Sequence, residues 1–377
     1  LESVADWQTT MKRIINFGIT FSSLLLAYQH GVATHGADTS EQHMTERKRS
    51  ISIFPIFTYD SDIGFGFGSK GMVKNQFKGN ESIGLVLFTS TKGEQWYELA
   101  ISVPDFEIRH GTAYPWAFDL KLEYDKYLKS NFFGFGNNSN DNDWHFPREM
   151  SKLELTVGRA ITTRIIGEIG LLCNHTSVYN YERINPLLTS DVPGIGEHLT
   201  CYLTTKFRYD TRDSPIHPCR GWEVSFNSDV TCRSFFSDFS FRRFRLKLSK
   251  YQKLVSSSHV LAVRLWVQDV EGIAPYYEQS IIGGGRTARG FKADRFIDEA
   301  MTLISTEYRF LLYRRIGGVL FIDAGRVYRG IQKVSFQSWK ANWGWGLRYY
   351  LAAFVVRFDT GISSEGTRIF INFGHAF

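Results

Sequence analysis

From residue 50 onward the dominant hydrophobic period is two. Trp116, Phe118, Leu120, Leu122 and Tyr124 alternate with Ala117, Asp119, Lys121, Glu123 and Asp125. Leu203, Thr205, Phe207 and Tyr209 alternate with Thr204, Lys206, Arg208 and Asp210. Leu153, Leu155 and Val157 alternate with Lys152, Glu154 and Thr156. Successive side chains of a strand point to opposite faces, so each run has one apolar and one mostly charged face. The pattern predicts about sixteen strands: 50–59, 63–74, 82–90, 95–105, 116–128, 150–160, 162–174, 198–210, 220–233, 239–253, 258–268, 302–311, 318–328, 342–351, 353–362 and 366–377. No run with a period of 3.6 appears beyond the N-terminal leader.

A soluble sandwich would alternate in the same way, with its apolar faces inward. Three features favour the inverse, an all-β transmembrane antiparallel barrel with lipid outside and water inside. Many runs reach about ten residues, as a tilted membrane strand requires. Aromatic residues sit at run ends (Trp96, Trp116, Tyr124, Tyr127, Trp222, Trp343, Tyr349), where interfacial girdles form. An export signal precedes the strands: Met11-Lys12-Arg13, a mostly apolar stretch from Ile14 to Ala27, then small residues around Ala33 and Gly36. The expected division is residues 1–36 as signal and upstream residues, 37–49 as a short periplasmic lead-in, and 50–377 as barrel. The lead-in leaves no room for a periplasmic domain. An even strand count puts both termini at the periplasmic rim. The long connections, 129–149, 175–197, 269–301 and 329–341, then share the outer rim.

Composition agrees with this reading. The chain has 377 residues, 15% aromatic, with 33 Gly and only 9 Pro. Aromatic content at that level excludes disorder, and the lack of long apolar runs excludes a helical membrane protein. The net charge of +6 is unclustered and gives no case for nucleic acid. Of the four cysteines, Cys173 and Cys201 flank one predicted hairpin symmetrically. They could bridge in an oxidising compartment or remain free buried thiols. Scattered histidines without ligand spacing predict no metal. The string Gly66-Phe67-Gly68-Ser69-Lys70-Gly71 lies in a strand rather than between strand and helix, so no nucleotide or other cofactor is expected. No nucleophile constellation appears, so the chain is not expected to be an enzyme.

Four strings carry a resemblance. The first is Tyr209-Asp210-Thr211-Arg212-Asp213-Ser214-Pro215, closing with Pro218 and Arg220-Gly221-Trp222. The second is Asn131-Phe132-Phe133-Gly134-Phe135-Gly136-Asn137-Asn138-Ser139. The third is Ile282-Gly283-Gly284-Gly285-Arg286-Thr287-Ala288-Arg289-Gly290-Phe291, and the fourth Phe321-Ile322-Asp323-Ala324-Gly325-Arg326-Val327. In this order they resemble the motifs of the Omp85 superfamily of outer-membrane barrels, also called the bacterial surface antigen or D15 family, in a short BamA/TamA-like form.

The resemblance implies that the sixth outer loop, 269–301, folds into the lumen and plugs it. Arg289, with Gly290 permitting a tight bend and Phe291 beside it, would meet inward carboxylates at Asp323 and Glu307, flanked by Phe321 and Gly325. A guanidinium shielded from bulk water needs a carboxylate partner, and its planar fork suits bidentate contact. The first string, with Asp210, Arg212, Asp213, Pro215 and Gly221, reads as a tight periplasmic turn. Residues 366–377, ending on Phe373 and Phe377, resemble the C-terminal strand such barrels show to the assembly machinery that inserts them. The implied setting is the bacterial outer membrane, with its lipid, that machinery and a polypeptide client as partners. The implied function is insertion of outer-membrane proteins or translocation of polypeptide. The alternative is a passive channel or surface receptor.

Overall fold

The computed structural model describes residues 49–60, 64–140, 145–179, 192–234, 236–254, 258–351 and 355–377; the expected signal segment lies outside them. Sixteen antiparallel strands close into a barrel, in chain order around the wall. They are β1 (Ser50–Asp60), β2 (Gly64–Lys74), β3 (Ser82–Ser90), β4 (Gln95–Val103), β5 (Ala117–Asn131), β6 (His145–Ala160), β7 (Ile165–Val178), β8 (Gly196–Asp210), β9 (Gly221–Thr231), β10 (Ser240–Lys253) and β11 (His259–Ile273). Then come β14 (Ala300–Tyr313), β15 (Ile316–Tyr328), β16 (Lys340–Tyr350), β17 (Val355–Ser363) and β18 (Gly366–Phe373). Two short strands, β12 (Ser280–Ile282) and β13 (Phe296–Asp298), form a separate hairpin inside the connection between β11 and β14.

The two-residue period sorts the faces. In β15, Leu320 and Ile322 are 53% and 59% exposed, while Phe321 and Asp323 are 3% and 0%. In β16, Trp343, Trp345, Leu347 and Tyr349 point outward, and Asn342 and Arg348 are buried inside. The apolar surface is therefore the outer one, the reverse of a soluble core. Among the described residues no helix is long and apolar enough to cross a membrane.

The sequence misplaces several boundaries at the long-loop rim. β5 runs on to Asn131 and β6 begins at His145, which shortens the expected 129–149 connection to 132–144. The sixth long-rim connection runs 274–299 rather than 269–301. At that rim a register shift between Tyr127 and Ser130 interrupts the two-residue period. Beyond it Ser130, Asn131 and Phe146 are all buried, so the alternation fades although the ladder persists.

The last strand also differs. β18 stops at Phe373 rather than continuing to Phe377. Gly374 adopts a left-handed φ of 79°, and its N–H bonds Val355 O at 2.8 Å. Arg309 Nη2 donates to Phe377 O (2.8 Å) and Arg264 Nη1 to Ala376 O (3.1 Å), with the Arg264 guanidinium 4.6 Å from the Phe377 ring. Phe373 stays in the wall. Phe377 is drawn off the strand by lumenal arginines that lack enough carboxylates.

The cysteine alternative is resolved. Cys173 on β7 and Cys201 on β8 are direct cross-strand partners and form a disulfide, while Cys219 and Cys232 are free.

Candidate functional site

The connection between β11 and β14 enters the barrel and shares an apolar core with the wall strands β14 and β15. Ile282, Ala288, Phe291, Phe296, Met301 and Val327 form one buried cluster, with the Phe291 and Phe296 rings edge to face at 5.2 Å. Burying large rings among apolar side chains offsets the entropy of holding so long a loop in one place.

Arg289 lies at the base of this loop and is fully buried. Its Nε and Nη2 donate to the two oxygens of Asp323, both at 2.9 Å, a bidentate fork. Its Nη1 donates to Glu307 Oε1 at 2.5 Å and lies 3.4 Å from Asp359 Oδ2. The guanidinium also stacks 3.5 Å above the Phe321 ring. Asp323 gains a further donor in Asn342 Nδ2 at 3.1 Å.

The sequence brings Arg289, Glu307, Phe321 and Asp323 to one point. It misses half of the network. Arg348 on β16 donates to Asp359 Oδ1 on β17 at 2.6 Å, Arg309 Nε to Glu307 Oε2 at 2.8 Å, and Arg357 Nε lies 3.5 Å from Asp359 Oδ2. Four arginines (289, 309, 348, 357) thus share three carboxylates (307, 323, 359). Main-chain oxygens take up part of the excess: Phe377 O for Arg309, and Leu347 O and Phe358 O for Arg348. The available signal was one inward arginine on each strand, Arg348 on β16 and Arg357 on β17.

Gly290 is needed for close approach rather than for a bend. A Cβ there would sit 2.5 Å from Asn342 Cβ and 2.8 Å from Ser363 Cβ, and one on Gly361 would sit 2.1 Å from Arg289 O. Loop and wall therefore touch backbone to backbone, and Ser363 Oγ donates to Gly290 O at 2.7 Å. Gly325 likewise leaves room for Ile282 Cδ1, 3.0 Å from where its Cβ would be.

Two further anchors hold the same loop. Glu278 pairs with Arg243 of β10 and accepts from Asn174 Nδ2 of β7 at 3.0 Å, while Arg243 Nε donates to Asp229 Oδ2 at 2.8 Å. Arg295 Nε donates to Glu365 (2.8 Å), and its Nη1 to Ser139 Oγ (2.8 Å). The phenylalanine- and glycine-rich string 131–139 serves this purpose. Phe132 packs on Tyr276 at 5.1 Å, Gly136 N donates to Ile297 O at 2.7 Å, and Phe133 lies 4.9 Å from the Arg295 guanidinium.

The string 209–222 forms the connection between β8 and β9 at the rim where β1 begins and β18 ends. Asp210 accepts from Arg212 Nε (3.0 Å) and Nη2 (2.8 Å), and Arg212 Nη1 lies 3.1 Å from Glu223. The ion pair, carried on a loop residue, holds Asp210 to the connection. Asp213 Oδ1 accepts the N–H of Cys219 (2.9 Å) and Arg220 (3.1 Å), closing the turn around Pro215. Gly221 has φ 111°, and a Cβ there would meet Thr211 O at 2.2 Å.

The barrel closes where β1 meets β18. Among the described residues their register consists of Tyr59 opposite Ile371 and Asp60 opposite Phe370. On its other side β18 pairs with β17 at eight positions, from Val356–Phe373 to Ser363–Gly366. Inside this seam lies a cavity of about 1230 Å³, bordered by Phe54, Ile56, Val86, Phe88, Arg286 and Arg357. No group of His, Cys, Asp and Glu among the described residues is placed to hold a metal.

BamA from Haemophilus ducreyi, in a form lacking POTRA domains 1–3, superposes with a TM-score of 0.63 at 15% identity, covering 86% of this chain and 70% of that one. CdiB from Acinetobacter baumannii gives 0.59 at 13% identity, covering 88% and 66%. CdiB from Escherichia coli gives 0.59 at 12%, covering 87% and 68%. At these identities the likeness is one of fold. No curated protein matches the sequence. The sequence does match the Omp85 superfamily domain over residues 75–377, and the chain therefore belongs to the Omp85 superfamily.

Proposed function

We propose that this chain is an outer-membrane barrel that inserts outer-membrane proteins or translocates polypeptide, working at the β1–β18 seam. The observation that carries this reading is the short ladder there: two described positions against eight between β17 and β18. A strand edge with few partners offers main-chain donors and acceptors to an incoming strand. The Arg289 network would act as a fixed post. It ties the plug loop to β14, β15 and β17 and so holds the wall on one side of the seam while the other side moves. A passive pore is less well supported, because the plug loop is locked to the wall through Arg289 and the last residues bond to lumenal Arg264 and Arg309.

Reconstitution tests this. Purified protein in liposomes should accelerate folding of an unfolded barrel client, or move a polypeptide, at least about tenfold over empty liposomes, a change of ~1.4 kcal/mol in barrier. Ion conduction with neither of those activities would reject the proposal.

A further inference from the structure

The 209–222 string does more than close a turn. Its residues alternate in direction: Asp210 and Arg212 meet Glu223 of β9 in one ion-paired group, whereas Thr211, Asp213, Arg220 and Trp222 line a separate cavity of about 580 Å³ together with Arg164, Lys250 and Gln252. This cavity is on the barrel's outer face. Trp222 shares its parity with the exposed Phe226 and Val230 of β9, and Trp222 is itself exposed. Lys250 is one turn of the pleat beyond Leu248 and Leu246 on β10, opposite Trp222 in register, with its Nζ 4.4 Å from the Trp222 ring.

The charges in this cavity do not cancel. Arg164, Arg220 and Lys250 bring three cations. The single carboxylate is Asp213, whose Oδ1 is already engaged by two main-chain N–H groups. None of the three cations forms an ion pair with a carboxylate among the described residues. Aromatic rings mark the headgroup level of a membrane, and cations there attract anionic headgroups.

We propose that this cavity binds the headgroup phosphate of an anionic phospholipid in the leaflet nearer the rim where β1 begins and β18 ends. Arg164 and Arg220 would fork the phosphate oxygens, Lys250 would supply a point charge, and Trp222 would lie against the glycerol and upper acyl region. Gly221 makes the site possible, because any side chain there would push the β8–β9 connection off the β9 start and separate Arg220 from Trp222. The assignment rests on the barrel spanning a membrane and not on insertion activity, so losing it would leave the seam proposal standing.

The test uses the full chain in detergent and reads Trp222 emission as the difference between the chain and its Trp222→Phe variant. Short-chain phosphatidylglycerol, phosphatidylcholine of equal chain length and inorganic phosphate are titrated separately. Phosphatidylglycerol should change the emission at a concentration about tenfold lower than phosphatidylcholine, with inorganic phosphate inert over the same range. The triple variant Arg164→Gln, Arg220→Gln, Lys250→Gln should migrate as a folded barrel in unheated electrophoresis and lose the preference. If that variant does not fold, Lys250→Gln alone should reduce the preference by severalfold. Equal potency of the two lipids overturns the proposal, as does a preference that survives the neutralising substitutions. A phosphate response equal to that of phosphatidylglycerol overturns the lipid assignment.

Discussion

The wall from β14 to β17 and the seam from β18 to β1 are neighbours built on opposite terms. The wall carries fully buried Glu307, Asp323, Arg348 and Asp359, all tied through Arg289 to a loop that shares an apolar core with β14 and β15. The seam has two described register positions and a cavity of about 1230 Å³ behind it. Buried charge networks are poor sources of net stability, because desolvation offsets most of their attraction. They do penalise every arrangement in which a partner is missing. The network therefore serves to define one position of the loop and wall, and the part of the barrel left undefined is the adjacent seam. Rigidity on one side is what would make opening on the other directional.

The sharpest way to break this contrast is Arg289→Ala. It leaves Asp323 buried without its bidentate partner and Glu307 with Arg309 but without Arg289, which costs about 3–5 kcal/mol. The expected result is a lower urea midpoint and faster proteolysis within 274–299. Arg289→Lys keeps the charge but loses the fork and should fall between. An Arg289→Ala protein with unchanged midpoint and protease resistance would show that the loop is held by its apolar core alone.

A smaller effect tests whether the wall is stiffened away from the seam. Cys173–Cys201 joins neighbouring strands β7 and β8. Cys201→Ser should lower stability by about 2–4 kcal/mol, less if strand pairing already restrains the two residues. Insertion activity per folded molecule should be unchanged. A parallel loss of activity would mean that the far wall takes part in the working motion.

Cross-linking the seam should then act on activity and hardly on stability. Tyr59→Cys with Ile371→Cys places two thiols at opposed positions of the register, in a background carrying Cys219→Ser and Cys232→Ser. Oxidation should slow client insertion about tenfold or more, relative to the same background without the new pair. Full activity in the cross-linked protein would move the working site elsewhere.

These contrasts were unequally legible in the sequence. A two-residue period needs only a difference between lipid and water across the wall, so strands such as β15 and β16 stand out plainly. Past the register shift between Tyr127 and Ser130 that period is broken, and Phe146 turns to the plug loop instead of lipid, so the upper ends of β5 and β6 are hidden. Arg289, Asp323 and Glu307 belong to recognisable strings, and each is separated from the others by fewer than two strands. Arg348 and Asp359 look like any inward charges on alternating strands. Only the register of β15, β16 and β17 brings them beside Arg289. The terminal residues mislead for a related reason: His375 and Phe377 keep the alternation, but Gly374 and the unsatisfied Arg264 and Arg309 outweigh it.

The smallest expected effect concerns the foot of the seam, where the β8–β9 connection meets the chain's last residues. The His217 ring packs edge-on to Tyr350 (5.3 Å) and His375 (6.0 Å), and its Nε2 lies 3.2 Å from Leu351 O. Burial pushes the His217 pKa below its ordinary value; the Leu351 carbonyl opposes this and the charge of Arg309 reinforces it. The folded protein therefore resists protonation at this site, while the unfolded chain takes a proton as pH falls through ~6.5. Stability from this group is complete above that pH and is lost below it, since the unfolded state then binds more protons. Urea midpoints at pH 7.5 and 5.5 should differ less in His217→Gln than in the parent chain. The same pair of pH values should also raise the rate of client insertion slightly in the parent, because loosening this contact frees the residues that follow β18 while leaving the Arg289 network intact. An identical pH dependence in both proteins would place the sensitivity in other groups and leave the foot of the seam as fixed as the wall.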